Sequence, residues 1–311
     1  MNNQQQKRIK NHLNGWINLD KPFDMTSTGA VSAVKKLLSP AKIGHAGTLD
    51  PLATGVLPLA LGEATKTVQY LMEACKEYVF TVKFGSQTTT DDAEGEVIKE
   101  SNVRPTDSAI QAILPHYTGE IEQLPPTFSA LKIGGERAYD LARAGEVVQL
   151  QPRPVIVHSF KMLRRINDDE VEFKVECGKG TYVRSLARDI ALSLGSFAHI
   201  SQLRRTRVGA FYEQDAISLD NLEKYATSEN PNFEEILTPV ERALDDIPIV
   251  ALDNMQANRL RHGHHCYVSL SAFRSDENYD GEVYQAWSDG AFFALVVRRD
   301  RALVPLRIFN L

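Results

Sequence analysis

Cysteine is scarce in this chain: Cys75, Cys177 and Cys266 are the only three among 311 residues. They are widely spaced, odd in number and outside any metal-binding pattern, which argues against a disulfide framework and suits a reducing compartment. No apolar run approaches the roughly 20 residues of a membrane span. Residues 1–10 are too polar to read as a signal peptide, so a cytoplasmic location is the expectation. Companion metal ligands are missing as well. His262-Gly263-His264-His265 has no second cluster of acids, histidines or cysteines at ligand spacing, and no metal is expected there. Internal repeats and low-complexity segments are absent. So is any excess of positive charge, the formal net charge being −5. That total argues against a polyanionic partner only where charges are evenly mixed. Here they are not. Five acids and one lysine fall within residues 91–100, whereas Arg204, Arg205 and Arg207 lie within four residues, with Arg184 and Arg188 upstream. A basic face can hide inside an acidic sum.

What is present is an ordinary globular composition, 43% hydrophobic and 24% charged. The chain is long enough for one large domain and a small one. Residues 1–12 are rich in Asn and Gln, with Lys7, Arg8 and Lys10, and are expected to form a disordered tail. Gly15-Trp16-Ile17-Asn18-Leu19 reads as a short strand running into Asp20-Lys21-Pro22. Thr26 or Ser27 can cap a helix whose apolar side carries Val31, Val34, Leu37 and Leu38. Further helices are expected over 64–74 and 105–114. Strict alternation marks strands at 78–84 and 171–177. A helix after Gly178-Lys179-Gly180-Thr181 would turn Val183, Leu186, Ala187, Ile190 and Leu194 inward and set Arg184 and Arg188 on one face. The Gly-Lys-Gly-Thr turn itself lacks the glycine spacing of a phosphate-binding P-loop. Residues 124–153 form a polar excursion entered through Pro125-Pro126, either a surface insertion or a lid. From Ile247 onward, a helix over 254–262 and short strands near 282–287, 292–298 and 303–309 suggest a small α+β or barrel module.

The stretch around which the rest is organised is Gly44-His45-Ala46-Gly47-Thr48-Leu49-Asp50-Pro51-Leu52-Ala53-Thr54-Gly55, followed by an apolar run over 56–61. Its glycines permit positive φ and close backbone approach, so it reads as a shaped loop feeding a buried strand. Pro51 biases Asp50 towards an extended conformation and stiffens the peptide that carries it. A lone loop aspartate is ordinarily a turn or cap residue. The whole stretch, however, resembles the catalytic-aspartate motif of the TruB family, the bacterial tRNA pseudouridine(55) synthases. Other segments match the family in its own order. They are Leu19-Asp20-Lys21-Pro22 with Thr26-Ser27, Gly62-Glu63-Ala64-Thr65-Lys66, Lys76-Glu77-Tyr78, Gly180-Thr181-Tyr182-Val183-Arg184-Ser185-Leu186, and Leu203-Arg204-Arg205-Thr206-Arg207-Val208-Gly209. Together they cover about residues 15–210.

The resemblance implies an α+β pseudouridine synthase fold, a mixed and largely antiparallel sheet flanked by helices. It implies a catalytic domain over 13–246 with an RNA-clamping insertion at about 124–153, and a PUA-like RNA-binding domain over 247–311. Because every matched motif lies upstream, a chain ending near Asp246 is expected to fold and react but to bind tRNA weakly. Asp50 is then the catalytic carboxylate and Arg184 its partner, with Asp92 pairing to the same arginine. Tyr78 stacks on the target base, Leu203 packs beside it, and Tyr182 binds substrate from the same motif as Arg184. His45 is the wedge that fills the space left by the flipped base. Lys21 and Arg205 support the site, and Arg204, Arg205 and Arg207 face RNA. The implied partner is the T arm of tRNA at uridine 55, met by a monomer without guide RNA.

Making pseudouridine breaks the N1–C1′ bond of uridine, turns the base and rejoins it through C5. No redox change occurs and no phosphate is consumed, so no cofactor is expected. The reaction needs one ionised carboxylate near C1′ and C2′, the state of an aspartate in water at neutral pH. Extruding the base costs a few kcal/mol, and stacking on an aromatic face recovers roughly 1–3 kcal/mol. Two alternatives stay open at this stage. A nucleoside hydrolase or glycosylase could use the same carboxylate with a placed water, and a tRNA-binding or folding protein could use the same surface without chemistry.

Overall fold

Alternation of apolar and polar residues builds the central layer of the molecule. The computed structural model describes residues 10–129, 150–269 and 280–311, together with the backbone of 132–133 and 136–137. The expected disordered tail therefore lies outside the described residues except at 10–12, and the expected insertion is described only at its ends and at that short hairpin.

Strands β1 (Gly15–Lys21), β2 (Ile43–His45), β3 (Thr54–Leu61) and β4 (Lys76–Phe84) come first, followed by a small hairpin of β5 (Ser86–Thr88) and β6 (Val97–Glu100). Next are β7 (Gly119–Gln123), the hairpin β8 (Lys132–Ile133) and β9 (Glu136–Arg137), then β10 (Arg153–Arg165) and β11 (Glu170–Cys177). The segment closes with β12 (Ala198–Val208), β13 (Phe211–Tyr212) and β14 (Ile217–Ser218). Apart from the hairpins β5-β6 and β8-β9, these make a 10-stranded sheet in the order β14-β1-β3-β12-β4-β11-β10-β7, with β2 on β3 and β13 on β12. Only β1–β14 and β3–β12 pair parallel, so the sheet is mixed and largely antiparallel, as expected. Among the described residues, no helix is long and apolar enough to cross a membrane.

Helices α1 (Ser27–Leu38), α2 (Val68–Glu73), α3 (Asp107–Ile113), α4 (Val183–Ser193) and α5 (Leu219–Ala226) pack around this sheet. The helix expected over 64–74 is broken. Gly62–Lys66 forms a 3-10 turn, and Thr67 Oγ1 donates to the Ala64 carbonyl at 2.8 Å. A threonine that satisfies the preceding carbonyl in this way competes with continuous helix, and α2 restarts after it. On one face of the sheet, Ile17, Leu57, Phe80, Phe173, Leu186 and Ile190 share a core. Phe80 stacks on Phe173 at 5.6 Å between ring centroids.

The other face is covered by the C-terminal segment. Strands β15 (Ile249–Ala251), β16 (Cys266–Tyr267), β17 (Val283–Ser288), β18 (Ala291–Arg299) and β19 (Ala302–Ile308) form a 5-stranded sheet in the order β15-β17-β18-β19-β16. Helix α6 (Asn254–Arg261) packs on it behind an Asp253–Gln256 capping box. Phe292, Leu295 and Phe309 from this segment join Trp16, Val56, Ala60 and Phe211 of the main sheet in a single apolar cluster.

Candidate active site

The loop joining β2 to β3 carries Asp50, and it is fixed from three directions. From α1, the buried Ser27 brackets Leu49: its Oγ accepts from the Leu49 N–H at 2.8 Å and donates to the Leu49 carbonyl at 2.9 Å. From the end of β1, Lys21 Nζ donates to the carbonyls of Pro22 at 2.9 Å, Met25 at 2.6 Å and Pro51 at 3.2 Å. From β12, Arg205 donates to the carbonyls of Val56 at 2.7 Å, Gly47 at 3.2 Å and Thr48 at 3.4 Å. Gly47 adopts φ of 99°, which a side chain would resist. Asp50 thus projects from a backbone held by neighbours on every side.

Its carboxylate meets the first turn of α4. Arg184 Nη2 lies 3.0 Å from Asp50 Oδ2, and Arg184 Nη1 lies 3.4 Å from Asp92 Oδ2. The same guanidinium donates to the carbonyls of Thr90 and Phe128, both at 3.0 Å. The arginine side chain is 7% exposed and that of Asp50 is 36% exposed. One partner is locked and dry while the other still faces the cleft. A fully engaged guanidinium offsets the cost of holding a carboxylate charge away from bulk water. Asp92 is buried and also accepts from the Glu94 N–H at 3.1 Å, so it orients Arg184 from behind.

Asp50, Tyr78, Tyr182, Arg184, Leu203 and Arg205 line one open cleft of about 530 Å³. The antiparallel register of β4 and β12 sets Tyr78 beside Arg205, and period-2 alternation turns Leu203 and Arg205 to the same side. Tyr78 is partly exposed, but burial raises the pKa of its phenol, with Arg205 pulling the other way. It presents a neutral aromatic face. Tyr182 is held at the start of α4 by Gln123, which accepts from its N–H at 2.8 Å and donates to its carbonyl at 3.1 Å. Lys21 and Asp92 sit behind the cleft rather than in its lining. His45 also lies outside that lining, on β2 opposite Leu59, and its buried Nδ1 has no hydrogen-bond partner among the described residues. Burial lowers the His45 pKa, with Arg205 acting in the same direction.

One expectation is corrected here. The arginines of the Leu203–Gly209 stretch were expected to face RNA. Arg205 is 1% exposed and its guanidinium is committed to loop carbonyls, so it braces the site from within instead of presenting a free cation at the surface. Arg204 pairs with Asp20 at 3.0 Å and Glu213 at 2.7 Å, and Arg207 pairs with Glu176. What looks like a basic patch in sequence is largely neutralised in space. Arg188 is likewise engaged, by Asp91 at 3.2 Å and Asp189 at 2.8 Å.

Other residues shape the site in ways the sequence reading did not assign. Ser27 is free to bracket Leu49 because the helix cap is taken by Thr26, whose side chain accepts from the Gly29 N–H. Lys76 in the cleft wall closes α2 through the carbonyls of Leu71 at 3.4 Å, Met72 at 2.5 Å and Ala74 at 2.6 Å. Burial pushes its pKa down to about 8, and Arg205 adds to the effect. Gln123 had no local signal at all, since its partner is 59 positions away.

A carboxylate loop, an arginine from a helix start and a tyrosine floor in one cleft agree with the motif order seen in the sequence. Comparison with known proteins decides the family. Residues 35–183 match the family model described as "TruB family pseudouridylate synthase (N terminal domain)", and residues 184–245 match "tRNA pseudouridylate synthase B C-terminal domain". The chain belongs to the TruB family. It is 49% identical over 310 residues to a "tRNA pseudouridine synthase B" of Bradyrhizobium diazoefficiens, covering 99% of this chain and 89% of that one. It is 50% identical over 312 residues to the protein of the same description from Nitrobacter winogradskyi, covering 99% and 86%. Among solved structures it is similar to a crystal structure of a Cbf5-Nop10-Gar1 complex, with a TM-score of 0.72, 30% identity, and 95% of this chain and 84% of that chain covered. The matches to the two TruB models end at residues 183 and 245, so β15 to β19 lie beyond both.

Proposed function

We propose that this TruB-family chain isomerises uridine 55 in the T loop of tRNA to pseudouridine, with Asp50 as the catalytic carboxylate acting on a flipped-out base. The observation that carries this reading is the 3.0 Å contact between Asp50 and the buried Arg184 at the edge of an aromatic-floored cleft. A carboxylate so placed can approach C1′ or the 2′ position of a ribose whose base has left the stack. Tyr78 and Leu203 offer the base a flat, largely apolar seat, and Tyr182 closes one side. A site dried by stacking keeps water from capturing the sugar, which separates isomerisation from hydrolysis. No redox or phosphate chemistry is required, so the reading invokes no cofactor. Segment 247–311 is proposed as a PUA-like RNA-binding module, and the protein as one that acts without guide RNA. The relatives described as tRNA pseudouridine synthase B support the substrate class.

Incubation with uridine-labelled tRNA, digestion and nucleoside analysis tests this directly. Pseudouridine confined to position 55 is expected. Free uracil would favour the hydrolase reading, and unchanged uridine would favour a binding or folding role alone.

A further inference from the structure

The cationic side chains that line the cleft differ in what already holds them. Arg184 is engaged by Asp50, Asp92 and two carbonyls. Arg205 is engaged by the carbonyls of Gly47, Thr48 and Val56. Lys76 closes α2. Two cations remain, Arg153 and Lys179, and both belong to the same rim. Arg153 opens β10, and Lys179 sits on the Gly178–Thr181 turn that follows β11. The Gly178 N–H donates to the Ile156 carbonyl at 2.8 Å, which ties the turn to β10. Arg153 Nε is buried and has no hydrogen-bond partner among the described residues, while its guanidinium lies 5.8 Å from the Tyr182 ring centroid. Lys179 is paired in solvent: it meets the carboxylate of Glu73 at the end of α2, with side chains 64% and 60% exposed. Both members of that pair line the cleft. Gly180 has φ of 78° and open space where a Cβ would stand, so the turn leaves room beside Lys179.

We propose that Arg153 and Lys179 form a seat for a backbone phosphate of the substrate RNA next to the flipped uridine. Glu73 holds Lys179 at the cleft rim until that phosphate displaces it. The proposal rests on the isomerase reading above for the identity of the substrate. An exposed ion pair contributes little, up to about 1 kcal/mol, so exchange of Glu73 for a phosphate opposes binding only weakly. The Gly-Lys-Gly-Thr turn thereby gains a role in binding phosphate through its lysine rather than through a P-loop cradle.

Equilibrium binding of unmodified tRNA to the full-length protein, between about 50 and 200 mM salt, tests the seat. Lys179→Ala should weaken binding and flatten the slope of log affinity against log salt by roughly 0.7–0.9. Lys179→Arg should restore the slope. Glu73→Gln should tighten binding by up to about five-fold, and the double variant Glu73→Gln/Lys179→Ala should bind like Lys179→Ala alone. A Lys179→Ala protein with the wild-type slope would overturn the proposal, as would a Glu73→Gln protein that binds no tighter. Pseudouridine formation by the wild type, measured on the same samples, reports separately on the isomerase reading. A wild type that isomerises beside variants with unaltered slopes would sink the phosphate seat alone.

Discussion

Lys21 holds the Asp50 loop without entering the cleft. Burial pushes its pKa down to about 8, against the opposing pull of Asp50, so the proton is held less firmly in the folded chain than in the unfolded one. As pH rises from about 8 towards the unfolded value, the unfolded chain binds more protons and this group gains in stabilisation. The contribution is full above the unfolded pKa and is lost as pH falls through about 8. Lys21→Met leaves three carbonyls without their donor and should destabilise by about 1–3 kcal/mol. Chemical denaturation at pH 7.5 and 9.5 should show that deficit growing with pH, and a deficit that shrinks would refute the linkage. Arg205→Ala removes the brace on Gly47, Thr48 and Val56 from a fully buried position, at a cost of about 3 kcal/mol. Because the Arg205 guanidinium is committed to loop carbonyls and is almost wholly buried, its loss should leave the salt dependence of tRNA binding in the surviving folded fraction unchanged. Asp50 and Arg184 were legible as candidates because each stands inside a long motif, and Tyr78 because the short Lys76-Glu77-Tyr78 match opens an alternating strand. Arg205 was read both as a support of the site and as facing RNA, since an inward and an outward arginine on a strand look alike until the neighbouring strands are known.

Strands β3 and β12 run parallel and very close at one point. A Cβ on Gly55, where φ is 99°, would sit 2.2 Å from the Arg205 carbonyl oxygen. Gly55→Ala must either part the two strands or strain the backbone, and should destabilise by at least about 2 kcal/mol. A loss of unfolding free energy of under about 0.5 kcal/mol, measured by chemical denaturation, would show that the strands can slide apart. At this scale the strands at 78–84 and 171–177 were readable because one face of each is core and the other is polar. The break at Thr67 was not, because a 3-10 turn and an α-helix share the same apolar spacing over so few residues. Nor could the acidic stretch around Asp91 and Asp92 be told from a solvated turn by composition. Only the resemblance paired Asp92 with Arg184, and the pairing of Asp91 with Arg188 emerges once α4 is placed beside them.

The two sheets share a core, and that changes what removal of the C-terminal segment should do. Trp16 is fully buried and packs in the cluster completed by Phe292, Leu295 and Phe309. Lys66 Nζ donates to the Ile308 carbonyl at 3.0 Å, and the Asn310 N–H donates to Glu63 Oε2 at 2.8 Å. Sequence alone made a chain ending near Asp246 look self-sufficient, since the matched motifs all precede it. Cutting there would uncover an apolar face, so the truncated chain should melt lower and aggregate more readily than the full-length protein. Equal melting temperatures would show that the shared cluster contributes nothing. The account as a whole depends on one carboxylate performing the chemistry while the rest of the molecule binds and positions RNA. The direct measurement is pseudouridine formation by Asp50→Asn under single turnover, with tRNA affinity determined on the same preparation. The account predicts affinity close to wild type and no detectable pseudouridine. A rate within about ten-fold of wild type, under about 1.4 kcal/mol of barrier, would contradict it.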